Sequence, residues 1–150
     1  MKSLITTLLL LVTFTISSQE IPFKVKDALK NDDAKALKKE LNKELNKELN
    51  KENINNCYKA GNSNYSFLIL AIKLNAKDCF NLLINKKADL DKDCNGKAPL
   101  IYTAKYNRLE MAKKLIKKGA NPKQNYRGRT ALDYAKKYQK KEMVDYFSNL

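Results

Sequence analysis

The chain has no histidine in its 150 residues. That absence removes imidazole general bases, Ser-His and Cys-His nucleophile pairs and most zinc sites together. Carboxylates do not fill the gap, because 16 acidic residues are scattered among 30 basic ones and their spacing brings no pair to a shared cleft. The run Asp89-Leu90-Asp91-Lys92-Asp93 has the outline of a calcium loop. Its sixth position, however, is Cys94 where glycine is required, and its twelfth is Leu100 where a bidentate glutamate is required. An ordinary turn accounts for those aspartates. The sequence therefore points to no catalysis, no metal site, no cofactor and no small-molecule substrate.

Long apolar runs are scarce too. The one present, Leu4 to Ile16, follows Lys2 and precedes Ser17-Ser18-Gln19-Glu20. A basic start, a short apolar segment and small residues before a polar boundary describe a secretory signal over residues 1–18, cleaved near Ser18. An uncleaved anchor is the alternative, but the run is shorter than the ~20 residues a spanning helix needs. No cysteine follows it at the boundary, which argues against a lipoprotein. The expectation is an exported chain, periplasmic or secreted, in a compartment where disulfides persist.

Negative charge is in short supply: 30 Lys and Arg against 16 Asp and Glu give a net charge of +14, and loss of residues 1–18 takes away Lys2 alone. Such an excess speeds encounters with anionic partners and favours nucleic-acid or membrane surfaces. The lysines are nevertheless spread along the chain, as expected of solvated faces.

What is present is a repeated phrase. Ser66-Phe67-Leu68-Ile69-Leu70-Ala71 returns 32 residues later as Ala98-Pro99-Leu100-Ile101-Tyr102-Thr103, and again as Thr130-Ala131-Leu132-Asp133-Tyr134-Ala135. Downstream, Asp78-Cys79-Phe80 with Leu83-Ile84 is echoed by Glu110-Met111-Ala112 with Leu115-Ile116, then by Glu142-Met143-Val144 with Phe147. Each echo reads as a short helix, a polar turn and a second apolar-periodic helix. Lys118-Gly119-Ala120-Asn121-Pro122 supplies basic last-turn residues, a glycine and a proline, which are helix stop signals. Asp93-Cys94-Asn95-Gly96 and Asn125-Tyr126-Arg127-Gly128 read as tight turns. A unit of this length cannot bury its own apolar face, so neighbours must stack.

These residues resemble the ankyrin repeat, a β-turn plus two helices carrying Thr-Pro-Leu-His-x-Ala. Asn95-Gly96-Lys97-Ala98-Pro99-Leu100 and Lys118-Gly119-Ala120-Asn121 match it most closely, and Arg129 to Ala135 is similar to a terminal repeat. The resemblance covers residues 62–150. It implies an all-α solenoid of stacked helix-turn-helix units joined by β-turn loops, with three repeats in 54–150, at about 62–93, 94–125 and 126–150. The motif's histidine is replaced by Ile69, Ile101 and Asp133, so its hydrogen bonds to the adjoining turn are lost. The units are also one residue short in the turn segment, which predicts irregular loops. Asp133, Lys136 and Ser148 stand where the middle unit has Ile101, Ala104 and Ile116, marking a polar end face.

Residues 19–53 read as a degenerate first unit, Lys26 to Leu37 keeping helix, polar turn and helix. Its second helix runs on through the word Leu-Asn-Lys-Glu, repeated from Leu41, Leu45 and Leu49. Glu40, Glu44 and Glu48 each meet a lysine three positions on, worth ~0.2 to 0.5 kcal/mol per pair. The leucine row drifts about 40° per step, so its members cannot all face the next unit. The word is either a protruding partner-binding helix or a low-complexity extension with a solvated end.

Cysteines 57, 79 and 94 make an odd count. Cys57 and Cys94 fall in expected loops on the same side of neighbouring units and are the candidate bridge. Stacked helices lie ~8 to 10 Å apart, beyond the ~7 Å limit for joining two Cα positions. Three unpaired thiols is the expectation.

The resemblance also implies a concave groove lined by turn tips and the exposed side of each first helix. Carried onto this chain, its recognition positions are Tyr65, Lys73 and Leu74; Asn95, Lys97, Lys105 and Tyr106; Tyr126, Arg127, Arg129, Lys137 and Tyr138. Lys or Arg beside Tyr is a composition typical of interface hot spots. The competing explanation is exposed polar filler, with Tyr covering the core edge. The implied partner is a protein, in its specific form an acidic one in the same compartment. The alternative is an anionic polymer or membrane surface, and a third reading is a structural spacer.

Overall fold

The computed structural model describes residues 19–45 and 53–150. Among these described residues eight α-helices form four antiparallel pairs: α1 (Phe23–Lys30) with α2 (Ala34–Leu45), α3 (Phe67–Leu74) with α4 (Lys77–Asn85), α5 (Pro99–Tyr106) with α6 (Leu109–Lys117), and α7 (Ala131–Lys137) with α8 (Lys141–Ser148). The first helices stack as a row, α1 on α3, α3 on α5, α5 on α7. This is the expected solenoid.

The echoed phrase explains the row. Leu68 and Leu100 are buried, and Ala71, Thr103 and Ala135, which share one position of the phrase, are each 0% exposed. Small side chains there let one helix approach the next, and the Thr103 hydroxyl is satisfied by donating to the Leu100 carbonyl at 2.7 Å. Every residue of α3 from Phe67 to Ile72 is buried. A helix this short is apolar all round only because it has neighbours on both sides.

Helix ends follow from local chemistry. Ser66 Oγ accepts from the Ile69 amide at 3.2 Å at the start of α3, and Pro99 opens α5. At the start of α7, Thr130 and Asp133 form a reciprocal capping box. Asn75 and Asn107 end α3 and α5 in the left-handed conformation, a role asparagine fills at low cost. Helix α4 has no cap of its own. Asp32, on the α1–α2 turn, supplies one instead, its carboxylate accepting from the amides of Cys79 at 2.9 Å and Asp78 at 3.1 Å.

The fingers are more regular than the shortened turns suggest. β1 (Tyr58–Ala60) and β2 (Ser63–Tyr65) form an antiparallel hairpin with Tyr58 opposite Tyr65, so this finger begins ahead of residue 62. Residues 19–21 add to its outer edge through hydrogen bonds of the Ile21 and Lys59 amides. The C-terminal finger pairs β3 (Asn125–Tyr126) with β4 (Arg129–Thr130). The middle finger is reduced to one bridge, Cys94 with Lys97.

The expectation of three unpaired thiols is corrected. Cys57 and Cys94 form a disulfide with a Cα separation of 5.8 Å. The spacing of packed helices does not apply to them, because both lie where extended segments of adjacent fingers approach more closely than the helices behind. Cys79 stays a free, buried thiol, donating weakly to the Ala28 carbonyl. Burial, reinforced by the neighbouring Asp32 charge, pushes it up to about 12.

Asn and Asp side chains tie adjacent loops. Asn55 accepts from the Asp89 amide at 2.8 Å, Asp91 from the Asn121 amide at 3.0 Å, and Asn95 Nδ2 donates to the Asn64 carbonyl at 2.7 Å. In the C-terminal unit Lys136 and Ser148 are exposed and Asp133 is half-buried. In α2, Leu37 and Leu41 are buried and Glu40 pairs with Lys43 at 3.1 Å. The remainder of the Leu-Asn-Lys-Glu word lies outside the described residues, as does the signal segment.

Candidate functional site

Tyr102 and Tyr106 on α5, and Tyr134 on α7 with Tyr138 at its C-terminal cap, are four residues apart, which places each pair on one side of its helix. Tyr102 stacks on Tyr106 with ring centroids 6.3 Å apart, and Tyr134 on Tyr138 at the same distance. The inner ring of each pair is buried and the outer one half-buried. At the end of β2, Tyr65 meets Tyr102 edge-on at 5.9 Å.

A cation lies over each of the outer rings. Lys105 Nζ is 5.4 Å from the Tyr106 centroid, Lys137 Nζ 5.8 Å from Tyr138, and Lys97 Nζ 3.8 Å from Tyr126. The guanidinium of Arg127 approaches Tyr126 from 5.1 Å. Each such contact contributes about 0.5–1 kcal/mol when exposed, and it fixes the direction in which the charge is presented. Gly96 permits the arrangement: its φ is +76°, and a Cβ there would run into the Tyr126 ring.

Tyr65 departs from its expected role. Its ring is buried and belongs to the core, so it offers no free contact area. Its hydroxyl accepts from Lys73 Nζ at 3.1 Å, and the ammonium also lies 4.4 Å from the ring centroid. Burial by itself would raise this phenol. Hydrogen bonds from Lys73 and Ser63, with the Lys73 and Lys105 charges, outweigh it and hold the group below its ordinary value. Tyr102, farther inside, is pushed up by burial and by the tyrosines around it.

The expected positions thus divide. Lys97, Lys105, Tyr106, Tyr126, Arg127, Lys137 and Tyr138 form a row of paired rings and cations along α5, α7 and their fingers. Asn95 is engaged in tying two fingers, and Arg129 is exposed on β4. Lys73 and Leu74 lie at the far end, beside α1. Tyr102 and Tyr134 were not among the expected positions, because the phrase places them where Leu70 stands and they read as core. The four-residue Tyr pairs, repeated 32 residues apart, were the available signal.

The match to known families decides the class: ankyrin repeats, in three copies, match residues 27–126 and 68–149. The chain belongs to the ankyrin-repeat family. No curated protein matches it. Ankyrin repeats are protein–protein interaction modules, generally without catalysis of their own. In this ankyrin-repeat chain no helix among the described residues is long and apolar enough to cross a membrane. The described residues also contain no cluster of three potential metal ligands.

Proposed function

We propose that this is an exported, non-enzymatic ankyrin-repeat module that binds a partner protein through the basic, tyrosine-rich face of α5, α7 and their fingers. The observation that carries the reading is the alignment of Lys97, Lys105, Arg127 and Lys137 over the row of half-buried rings. Tyrosine bodies anchored in the core lose little entropy on binding, and the cations above them are directed outward. Export follows from the leader-like residues 1–18 and accords with the disulfide. The test is affinity capture from the chain's own envelope fraction, repeated with Lys105, Arg127, Arg129 and Lys137 all changed to Glu. A specific protein retained by the native chain and lost by the variant is expected. Capture of none, or equal capture by both, would sink the reading.

One observation favours charge-driven binding to an anionic polymer as a second reading. An open groove of about 920 Å³ along α4 and α6 is lined by Lys77, Arg108, Lys113, Lys114, Lys117 and Lys118 against two carboxylates, Glu110 and Glu142. Retention on anionic matrices that collapses at about 0.5 M salt whatever the matrix would support it, since screening removes contacts of that kind. A partner surviving that salt supports the primary reading.

A further inference from the structure

At the N-terminal end of the same face, α1, the tip of the β1–β2 hairpin and the end of α3 enclose a notch of about 260 Å³. Its floor is apolar, made by Ile21, Leu29, Ala60 and Leu70. Its lining includes three lysines, Lys26, Lys30 and Lys73, the last of which also donates to the Tyr65 hydroxyl, and no carboxylate. Lys26 and Lys30 form no ion pair among the described residues. Leu74, 43% exposed, stands at the edge. Phe23, 81% exposed, shares a face of α1 with Lys26 and Lys30 through three- and seven-residue spacing. Phe23 and Leu74 are two of the three large apolar side chains left exposed among the described residues.

The size and chemistry of the notch select its occupant. It is smaller than the roughly 300 Å³ at which pockets for free small molecules begin. A single side chain of a larger partner fits it. Because the charged part of the lining is wholly cationic, the residues flanking that side chain must be acidic for the charges to match.

We propose that the notch anchors one Leu- or Phe-sized side chain from an acidic stretch of the partner protein, with flanking carboxylates at Lys26, Lys30 and Lys73. The inference rests on the protein-binding reading above and gives it a partner chemistry. Affinity comes from the seated apolar side chain, and selectivity for acidic sequence comes from the lysines.

The test titrates the purified chain into two fluorescein-labelled nonapeptides followed by anisotropy, four Glu on each side of a central Phe in one and of a central Gly in the other. The Phe peptide should bind tighter by about tenfold or more, the scale expected for burying one large apolar side chain. Leu74→Asp should erase that preference and Lys30→Glu should weaken the binding of both peptides, each with the melting curve unchanged, while Leu74→Met should keep the preference. Equal binding of the two peptides by the native chain overturns the proposal, as does a preference indifferent to Leu74→Asp. So does Leu74-dependent recruitment to phosphatidylglycerol vesicles with no peptide preference, which would assign the patch to a membrane. Loss of partner capture in the fourfold Lys105, Arg127, Arg129 and Lys137 variant, but not in Leu74→Asp, overturns the notch and leaves the protein-binding reading standing. A peptide preference that behaves as expected, without any captured protein, supports the notch and removes that reading instead.

Discussion

The first full unit and the C-terminal unit are spelled with the same phrase yet held by different means. In the first, every residue of α3 from Phe67 to Ile72 is buried, the hairpin is extended by residues 19–21, and a disulfide ties its finger to the next. In the last, α7 buries only Ala131, Tyr134 and Ala135, the hairpin strands are two residues long, and the finger meets its neighbour through Lys97 over the Tyr126 ring. A repeat's letters state what can be buried. How much is buried depends on its neighbours.

The sharpest way to break this comparison is to remove the same letter from both units. Leu68→Ala, at a position 0% exposed, should cost about 2–5 kcal/mol. Leu132→Ala, half-buried at the equivalent position, should cost about 1 kcal/mol. Urea melts of the two variants should differ in midpoint accordingly, and equal costs would show that burial in the two units is alike.

The covalent tie comes next. Replacing Cys57 and Cys94 by Ser opens a loop with a sequence separation of 37, which should cost about 2–4 kcal/mol. Thermal melts with and without reductant should reproduce that loss for the native chain and show none for the double variant. Thiol titration of the denatured, unreduced native chain should find Cys79 alone, whereas three thiols would show the tie absent.

Two glycines compare the fingers themselves. Gly61 and Gly96 both have positive φ, but a methyl at Gly61 meets open space and one at Gly96 meets the Tyr126 ring. Gly61→Ala should cost about 1–2 kcal/mol from backbone strain alone. Gly96→Ala should cost more and displace the Tyr126 ring resonances; equal effects would show that the ring yields freely.

The smallest effect concerns the two helix caps. Hydrogen bonds from the Thr130 amide and hydroxyl hold the Asp133 carboxyl below its ordinary value. A depressed carboxyl stabilises fully above its unfolded pKa of roughly 3.9 and loses that contribution as pH falls through its folded value. Asp133→Ala should therefore lower stability by about 1 kcal/mol at neutral pH and narrow the gap to the native chain in strong acid. Ser66→Ala in the first unit should lower stability without any such acid dependence.

Much of the fold was legible because a 32-residue echo constrains every core position at once. Leu68, Leu100, Ala71, Thr103 and Ala135 are buried where the echo places them. What escaped were contacts between loops, which no periodicity encodes. Helix-to-helix spacing argues against the Cys57–Cys94 bond, but that spacing does not govern the fingers. Asp32 reads as a turn residue, and nothing in its neighbourhood announces a helix 46 residues away. The face was legible in its Lys-Tyr pairs but not in its foundation, since Tyr102 and Tyr134 look like core and are also the platform on which the outer rings rest.

The Asp32 cap also bears on how the chain comes together. Two of the amides that open α4 have their acceptor on the preceding unit, and the Ile72 carbonyl near the end of α3 receives Arg108 Nε from the following one. The segment read as the first full repeat is therefore completed on one side by the unit before it and on the other by the unit after it. Cut out alone, it would lose these partners as well as its apolar neighbours. The smallest autonomous folding block in this region is consequently longer than one repeat, and growth of the stack is zipper-like, each added unit completing the one before.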